Sequence, residues 1–388
     1  MNQRKAISLL LQHGELSRAK LAKAAGMSQP TAGKIISALI EQRVICETGQ
    51  RFASVSKTRL GRPGRMLRLE DHHARFMGIE LGVKETLLAG LTLCAKPEWS
   101  RCFATTSAPK DWLLGFKSNL RGLRLERLQG LVASVSGIVD EASGHIHYCP
   151  NLHWLENFDL AAKLRNLLGF PVILVQEIRA LALGHIATTG PKDLLLIDFG
   201  VGVGGAVIFE GNLQRQGTPL SGEIGHTPVP GNARRCGCGA TGCLETLVSE
   251  PGLLATFEAE VRAPNPSLED LSERIRGHGI EPWLESSIQA AGRIIAGALN
   301  VLGMHRVVVT GYPARLPGAF LDALRRQIAQ DALWGRFGEV VCEAAPRRRF
   351  EGMVVAGLGR VLFPQMEGAP ATGDAEKGQL RYNRNNSL

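Results

Sequence analysis

The residues best suited to chemistry lie between Ser221 and Ser249. The chain there reads Ser221-Gly-Glu223-Ile-Gly-His226 and then Cys236-Gly-Cys238-Gly-Ala-Thr-Gly-Cys243-Leu-Glu245-Thr246. Three thiolates and one imidazole make a closed tetrahedral donor set, of the number and softness expected for a structural Zn²⁺ ion. Glycines at 237, 239 and 242 let such a loop fold tightly around an ion. The competing reading is buried free thiols. It has to explain why three cysteines crowd together with glycines between them while Cys46, Cys94, Cys102, Cys149 and Cys342 are scattered singly. That usage suits a metal better than a disulfide framework. For His226 the alternative is an ordinary core or surface histidine.

Positioning such a set requires a core, and the chain has the means. With 388 residues, 44% of them apolar, it can bury more than one core, so two or three units are expected. Its net charge of +9 is concentrated: residues 1–68 hold thirteen Lys and Arg against Glu15, Glu41 and Glu47, which leaves the rest close to neutral. A field confined to a short N-terminal segment points to a polyanionic partner for that segment, since phosphate neutralisation drives nucleic-acid binding. The competing polyanion, membrane lipid, is disfavoured. The apolar run Ala6–Leu11 is too short for a signal-peptide core, and no stretch approaches the roughly eighteen apolar residues that span a bilayer. A cytoplasmic protein without a membrane partner is expected.

The basic segment has the spacing of a helix-turn-helix. Ile7, Leu10 and Leu11 recur at helical intervals before His13-Gly14. Ser17 can cap a second helix carrying Leu21, Ala24 and Ala25, and Gly26-Met27-Ser28 turns the chain. Ser28 can cap a third helix with Pro30 in its first turn and with Ile35, Ile36, Leu39 and Ile40 facing inward. Its outward residues Gln29, Thr31, Lys34 and Ser37 are candidates for base edges and phosphates in a major groove. Val44-Ile45-Cys46 and Met66-Leu67-Arg68-Leu69 read as strands flanking a wing with Arg51, Lys57, Arg59, Arg62 and Arg65, of which Arg59 and Arg62 are the candidate DNA contacts. The alternative is a helical interaction module with a solvated basic face.

From about Arg75 apolar strands alternate with helices, which predicts layered α/β structure. Strands are expected over Phe76–Leu81, Thr86–Leu93, Leu128–Val135, Pro171–Val175, Leu194–Ile197 and Val203–Phe209. Two halves are expected because a second Gly-rich strand unit begins at Asp193. Ser286–Met304 reads as a long amphipathic helix, Val307-Val308-Val309 as a buried strand and Glu351–Leu362 as a closing helix; the tail after Gln365 lacks periodicity and reads as disordered.

These motifs resemble the ROK family of bacterial repressors and sugar kinases. The resemblance runs from the N-terminal segment through Gly61-Arg62-Pro63-Gly64 to the Glu351-Gly352 helix. It implies an actin-like, hexokinase-like α/β ATPase fold in two lobes, preceded by a winged helix-turn-helix domain of helices plus a wing. The implied boundaries are 1–70 for the DNA-binding domain, 75–190 for the first lobe, 191–364 for a second lobe with the zinc loop and dimerisation helices, and 365–388 for the tail. It assigns the zinc to His226, Cys236, Cys238 and Cys243. Sugar contacts are implied at Glu223, His226 and Glu245, at Asn151 in Pro150-Asn151-Leu152-His153-Trp154, and at the Gln176-Glu177 pair. A carboxylate suits a polyol because it accepts hydrogen bonds from two adjacent hydroxyls. The alternative for Glu223 and Glu245 is support of the metal ligands.

Against the kinases of that family the chain departs at each catalytic element. The first phosphate loop, Asp-x-Gly-Gly-Thr in the family, reads Glu80-Leu81-Gly82-Val83-Lys84. The second, Gly-Thr-Gly-x-Gly-Gly, reads Gly200-Val201-Gly202-Val203-Gly204-Gly205, without its hydroxyl. A Gly-Gly pair near the nucleoside reads Gly311-Tyr312. The Asn-Asp pair with the catalytic base falls at Gln176-Glu177, and Arg179 replaces a nearby Asn. One methylene moves the carboxylate by about 1 Å, and a misplacement of that size costs on the order of a hundredfold in rate. The expectation is a non-enzymatic regulator, read as a repressor of carbohydrate genes. It would bind a double-stranded DNA operator as a homodimer or homotetramer and sense a sugar or sugar derivative in the cleft between its halves. The alternatives are an ATP-dependent sugar kinase and a regulator controlled by a phosphotransferase-system protein.

Overall fold

The computed structural model describes residues 2–51, 65–190, 192–214 and 221–364. Internal contacts divide the chain into two units. One comprises the chain up to Ala180, Ala187–Gly190 and the segment from Phe350; the other comprises Leu181–Ile186 and the segment from Pro191 to Arg349.

The first unit opens with α1 (Asn2–His13), β1 (Glu15–Ser17), α2 (Arg18–Ala25), α3 (Gln29–Glu41), β2 (Ile45–Arg51) and β3 (Arg65–Leu69). Both expected caps form. The Ser17 hydroxyl accepts the Lys20 N–H and the Ser28 hydroxyl accepts the Thr31 N–H, each at 3.3 Å, with Pro30 in the first turn of α3. These bonds satisfy N–H groups that the helices leave unpaired at their starts. On α3 the buried residues are Ala32, Ile36 and Leu39, while Ile35 and Ile40 are half-buried. The small sheet has the order β1-β3-β2, with Ile45 opposite Leu69 and Glu47 opposite Leu67. The short strand β1 has no counterpart among the expected elements.

The body of this unit is a five-stranded sheet of β4 (Phe76–Leu81), β5 (Glu85–Leu91), β6 (Pro97–Ala104), β7 (Gly130–Val135) and β10 (Val172–Gln176). Between β7 and β10 lie the hairpin β8 (Ile138–Asp140) and β9 (His145–Tyr148) and the helix α5 (Leu160–Leu168). The order is β10-β7-β4-β5-β6; β4, β7 and β10 run parallel, and β5 and β6 are antiparallel. Helix α4 (Pro109–Leu120) lays Trp112 and Phe116 into the core, stacked at 5.5 Å between centroids, and the Trp112 indole donates to the Thr86 hydroxyl at 2.9 Å. Helix α6 (Glu177–Thr189) follows β10 directly.

The second unit repeats this sheet with β11 (Leu194–Phe199), β12 (Val203–Phe209), β13 (Asn212–Leu213), β14 (Arg306–Gly311) and β15 (Val341–Ala344), in the order β13-β12-β11-β14-β15. Here β11, β14 and β15 are parallel, and β12 and β13 antiparallel. Numbered along the chain, both sheets read 3-2-1-4-5, so the fold is the expected two-lobed, actin-like α/β architecture. All six residues of β7 and of β11 are buried, as expected of parallel strands covered on both faces. Helices α7 (Glu245–Val248), α8 (Glu250–Val261), α9 (Leu268–His278), α10 (Pro282–Leu302) and α11 (Gly318–Asp331) complete the unit. Helix α10 buries Leu284, Ile288, Ala291, Ile295 and Leu299, a stripe at helical spacing.

The closing helix α12 (Arg349–Gly357) lies almost wholly in the first unit, not in the second lobe as the sequence boundaries had it. Gly352 abuts the Ala180 backbone, the Met353 sulfur meets Gly78 on β4, and Gly357 rests on the Phe76 ring. The 3.6-residue periodicity of a helix says which face is apolar, but not which sheet will cover it. Among the described residues no helix is long and apolar enough to cross a membrane.

Trp112 combines full burial, ring stacking and a satisfied indole N–H. Trp112→Ala should therefore destabilise the chain by about 3–5 kcal/mol, read as a lowered midpoint in urea with unchanged cooperativity.

Candidate metal centre, ligand residues and DNA-facing helix

The four donors predicted for zinc converge in the second unit. His226, Cys236, Cys238 and Cys243 place one ligand atom each within 4.8 Å of all the others, with Cys236 and Cys243 buried. Cys238 Sγ and Cys243 Sγ are 3.6 Å apart, and Cys236 Sγ is 3.6 Å from His226 Nδ1. A tetrahedral ion with Zn–S bonds near 2.3 Å separates its sulfurs by about 3.8 Å, so the donors already have the spacing of a four-coordinate site. Burial pushes the Cys243 thiol up to about 12, with the neighbouring sulfurs adding to it, and burial also raises Cys236. A divalent cation among these donors would favour the ionised form of both thiols. With four protein ligands the site is closed, and zinc there would supply structure, not a reactive water.

Local backbone bonds shape the loop. The Cys236 N–H donates to the Ala240 carbonyl at 2.8 Å and the Gly239 N–H to the Cys236 carbonyl at 3.0 Å. Gly239 and Gly242 have φ of +90° and +88°, where a side chain is strained, and a Cβ on Gly242 would lie 2.8 Å from the Asn232 carbonyl oxygen. The Asn232 amide donates to the Cys243 carbonyl at 3.0 Å and to the Thr246 hydroxyl at 2.9 Å, tying the loop to α7. Asn232 carries no motif signal in the sequence.

Two carboxylates flank the donors. Glu223 Oε2 stands 3.7 Å from His226 Nε2, while the other ring nitrogen is the one beside Cys236. Glu245 Oε2 accepts the Val203 N–H at 2.9 Å, and its Oε1 lies 3.9 Å from Cys236 Sγ. Each therefore lies beside a candidate metal ligand, a placement that suits either of the two roles that the sequence left open.

Of the remaining ligand candidates, Asn151, Gln176 and Glu177 belong to the first unit, while Glu223, His226 and Glu245 belong to the second. Asn151 is exposed in the turn after β9, and Gln176 is buried at the end of β10. Glu177 opens α6 and accepts the Ser136 hydroxyl at 2.6 Å. Glu141, absent from the expected site, sits in the β8–β9 turn and organises this corner. Its Oε1 accepts the Gln176 N–H and the Arg179 Nε–H, each at 3.0 Å, and its Oε2 pairs with Arg360.

At two of the positions aligned with the kinase loops the chain makes contacts of its own. Gly82 and Val83 lie in the β4–β5 turn, with the Gly82 N–H on the Glu85 carbonyl at 3.1 Å. Tyr312 is buried and donates to the Val248 carbonyl at 2.8 Å.

On the N-terminal domain Gln29, Thr31, Lys34 and Ser37 are all exposed on α3. Thr31 also shares a 2.8 Å hydrogen bond with the capping Ser28. Arg59, Arg62, Lys57 and the Gly61–Gly64 motif lie outside the described residues. Arg65, counted with the wing, is on β3, where it and Arg18 pair with Glu47 at 2.6 and 2.8 Å. Those two guanidiniums, Arg65 first, hold the Glu47 carboxyl below the usual range.

Freshly purified protein should contain one zinc per chain by elemental analysis. Cys238→Ser should lower both the zinc content and the melting temperature, and an unchanged metal content would remove the cluster from consideration as a zinc site.

Comparison with known proteins agrees with the two-lobed fold. A putative xylose repressor from Caldicellulosiruptor sp. (strain Rt8B.4) is 25% identical over 370 residues, covering 89% of this chain and 91% of the relative. A glucokinase from Halalkalibacterium halodurans is 37% identical over only 130 residues, covering 32% of this chain and 39% of the enzyme. The crystal structure of a ROK family transcriptional regulator, a homologue of the Escherichia coli Mlc protein, superimposes with a TM-score of 0.73 at 19% identity, covering 94% of this chain and 98% of that one. The ROK family profile matches residues 76–357, and this chain belongs to the ROK family.

Proposed function

We propose that this protein is a ROK-family transcriptional repressor. In this reading it binds operator DNA through α3 and the wing and responds to a sugar or sugar derivative through its kinase-like body. The observation that carries the proposal is α3. A capped helix with a buried apolar back presents Gln29, Thr31, Lys34 and Ser37 to solvent, on the segment that holds the chain's positive charge. A helix of this kind enters a major groove, and dimers place two of them about one helical turn of DNA apart. Similarity over most of its length to a xylose repressor supports the same reading.

Association into a homodimer or homotetramer has a candidate surface. Val301, Leu333, Trp334 and Phe337 are 88%, 55%, 46% and 77% exposed around the end of α10 and the turn after α11. The Leu333 N–H on the Asn300 side chain at 2.7 Å brings the two elements together, and large apolar side chains exposed on neighbouring elements are candidates for burial between copies.

The residues proposed to contact the ligand are Asn151, Gln176, Glu177, Glu223, His226 and Glu245. A ligand changes DNA affinity only if it binds two arrangements of the protein unequally, and the coupling is reciprocal. A phosphotransferase-system protein as the controlling partner is the second reading; it becomes the better one if no sugar shifts the melting temperature. Catalysis is not expected, since the hydroxyl of the second loop is lost to Val201 and the Glu177 carboxylate is engaged by Ser136.

Lys34→Ala should weaken operator and non-specific DNA alike and make the salt slope shallower by about one unit, measured by fluorescence anisotropy. In the same titrations Glu223→Ala should leave DNA affinity intact and abolish the effect of any sugar found to shift the melting temperature. A full ligand effect in that variant would exclude the body as the sensor.

Hexose phosphorylation assayed with ATP should stay at background across a sugar panel. Robust turnover that is lost in Glu177→Gln would establish the kinase reading instead.

A further inference from the structure

The loop Gly200–Gly205 has the composition that lets a backbone close around a phosphate. In this chain the space those glycines leave is already taken. Arg347, three residues beyond β15, reaches back to Asp198 at the end of β11 and forks onto it, with Nε to Oδ1 at 2.7 Å and Nη2 to Oδ2 at 2.8 Å. The Thr310 hydroxyl, itself buried, donates to the same Oδ1 at 2.7 Å. Asp198 is only 7% exposed, so the pair is a two-pronged, partly desolvated contact, the form in which arginine binds a carboxylate most rigidly. Held this way, the guanidinium lies on the glycines: a Cβ on Gly200 would overlap Nη2, and one on Gly311 would stand 3.1 Å from it.

Three backbone donors of the loop are committed as well. The Gly200 N–H donates to the Gly202 carbonyl at 2.8 Å, the Val203 N–H to Glu245 Oε2 at 2.9 Å, and the Gly205 N–H to the Gly222 carbonyl at 2.7 Å. Glu245 Oε2 would also lie 2.9 Å from a Cβ on Gly202. An incoming phosphate would therefore meet an occupied cavity and a carboxylate on the loop, and the cation there is already neutralised by Asp198.

We propose that Arg347 is an internal plug of this Gly-rich loop, a guanidinium that fills the space over Gly200 and Gly311 and excludes nucleotide and pyrophosphate. This goes beyond the repressor reading and does not depend on it, since phosphate exclusion is measured without DNA or sugar. Valine at position 201 lacks the hydroxyl that would contact a phosphate; the plug removes the site.

The test is calorimetric titration of the zinc-loaded full chain with Mg-ADP and, separately, with inorganic pyrophosphate. Wild type is compared with Arg347→Gln and with the double variant Arg347→Ser/Asp198→Asn, which removes both charges together. Cooperative melting and retained zinc identify the variants that fold, and Arg347→Gln, close in size and still able to hydrogen-bond Asp198, serves if the double variant does not. Wild type should show no binding. The folded variants should bind at least one of the two probes at least about tenfold more tightly than the wild-type limit, a difference of about 1.4 kcal/mol. Wild-type binding as tight as that of the variants would overturn the proposal, and so would folded variants that bind no better than wild type.

Discussion

Four soft donors packed within 4.8 Å of one another are the constraint on which the functional part of the second unit depends. Burial raises the Cys236 and Cys243 thiols above their ordinary range, and a cation would favour their ionised form and hold all four donors in one geometry. Such a cation would fix together the segments that carry them: the short turn Ile224–His226, the Cys236–Cys243 loop and the start of α7. Glu245 extends this to β12, because one of its oxygens lies near Cys236 while the other holds the Val203 N–H. Glu245 thus links the cysteine loop to the Gly-rich loop by direct contacts.

The same economy of charge governs the N-terminal domain. Of its many cations, Arg18 and Arg65 are committed to Glu47, which pins β3 to the start of α2. Exposed pairs of this kind contribute little stability, but they orient two side chains and remove them from the free field. Lys34 on α3 is exposed in the row of candidate groove residues. The division separates cations that hold the domain together from those placed to meet a polyanion.

In the body, a scaffold shaped for phosphate chemistry has been occupied by the protein itself. Tyr312 is packed into the core beside Phe199, Glu177 is engaged by Ser136, and Asp198 is forked by Arg347. Each is a satisfied interaction, not a vacancy, so the departures from a kinase are built into the folding of the chain. The full-length similarity to a repressor, against the partial match to a glucokinase, agrees with this. What persists is the duplicated 3-2-1-4-5 sheet, whose buried parallel strands tolerate change at their ends better than along their length.

Much of this was legible in residues read in order, wherever the cause is local. Ser17 and Ser28 cap helices through bonds spanning three residues, the cysteines lie within one turn-rich loop, and the buried strands are continuous apolar runs. Three-residue β1 is too short to carry a pattern, and it exists because β3 offers an edge. The partners that tertiary structure alone decided are remote. Arg347 meets Asp198 across 149 positions, Arg360 meets Glu141 across 219, and α12 returns to cover β4 with Met353. Nothing in the spacing of two charges so far apart says that they will pair. The order in which parallel strands are laid down decides which loop ends converge, and only that convergence determines whether a glycine faces a ligand or an arginine of its own chain.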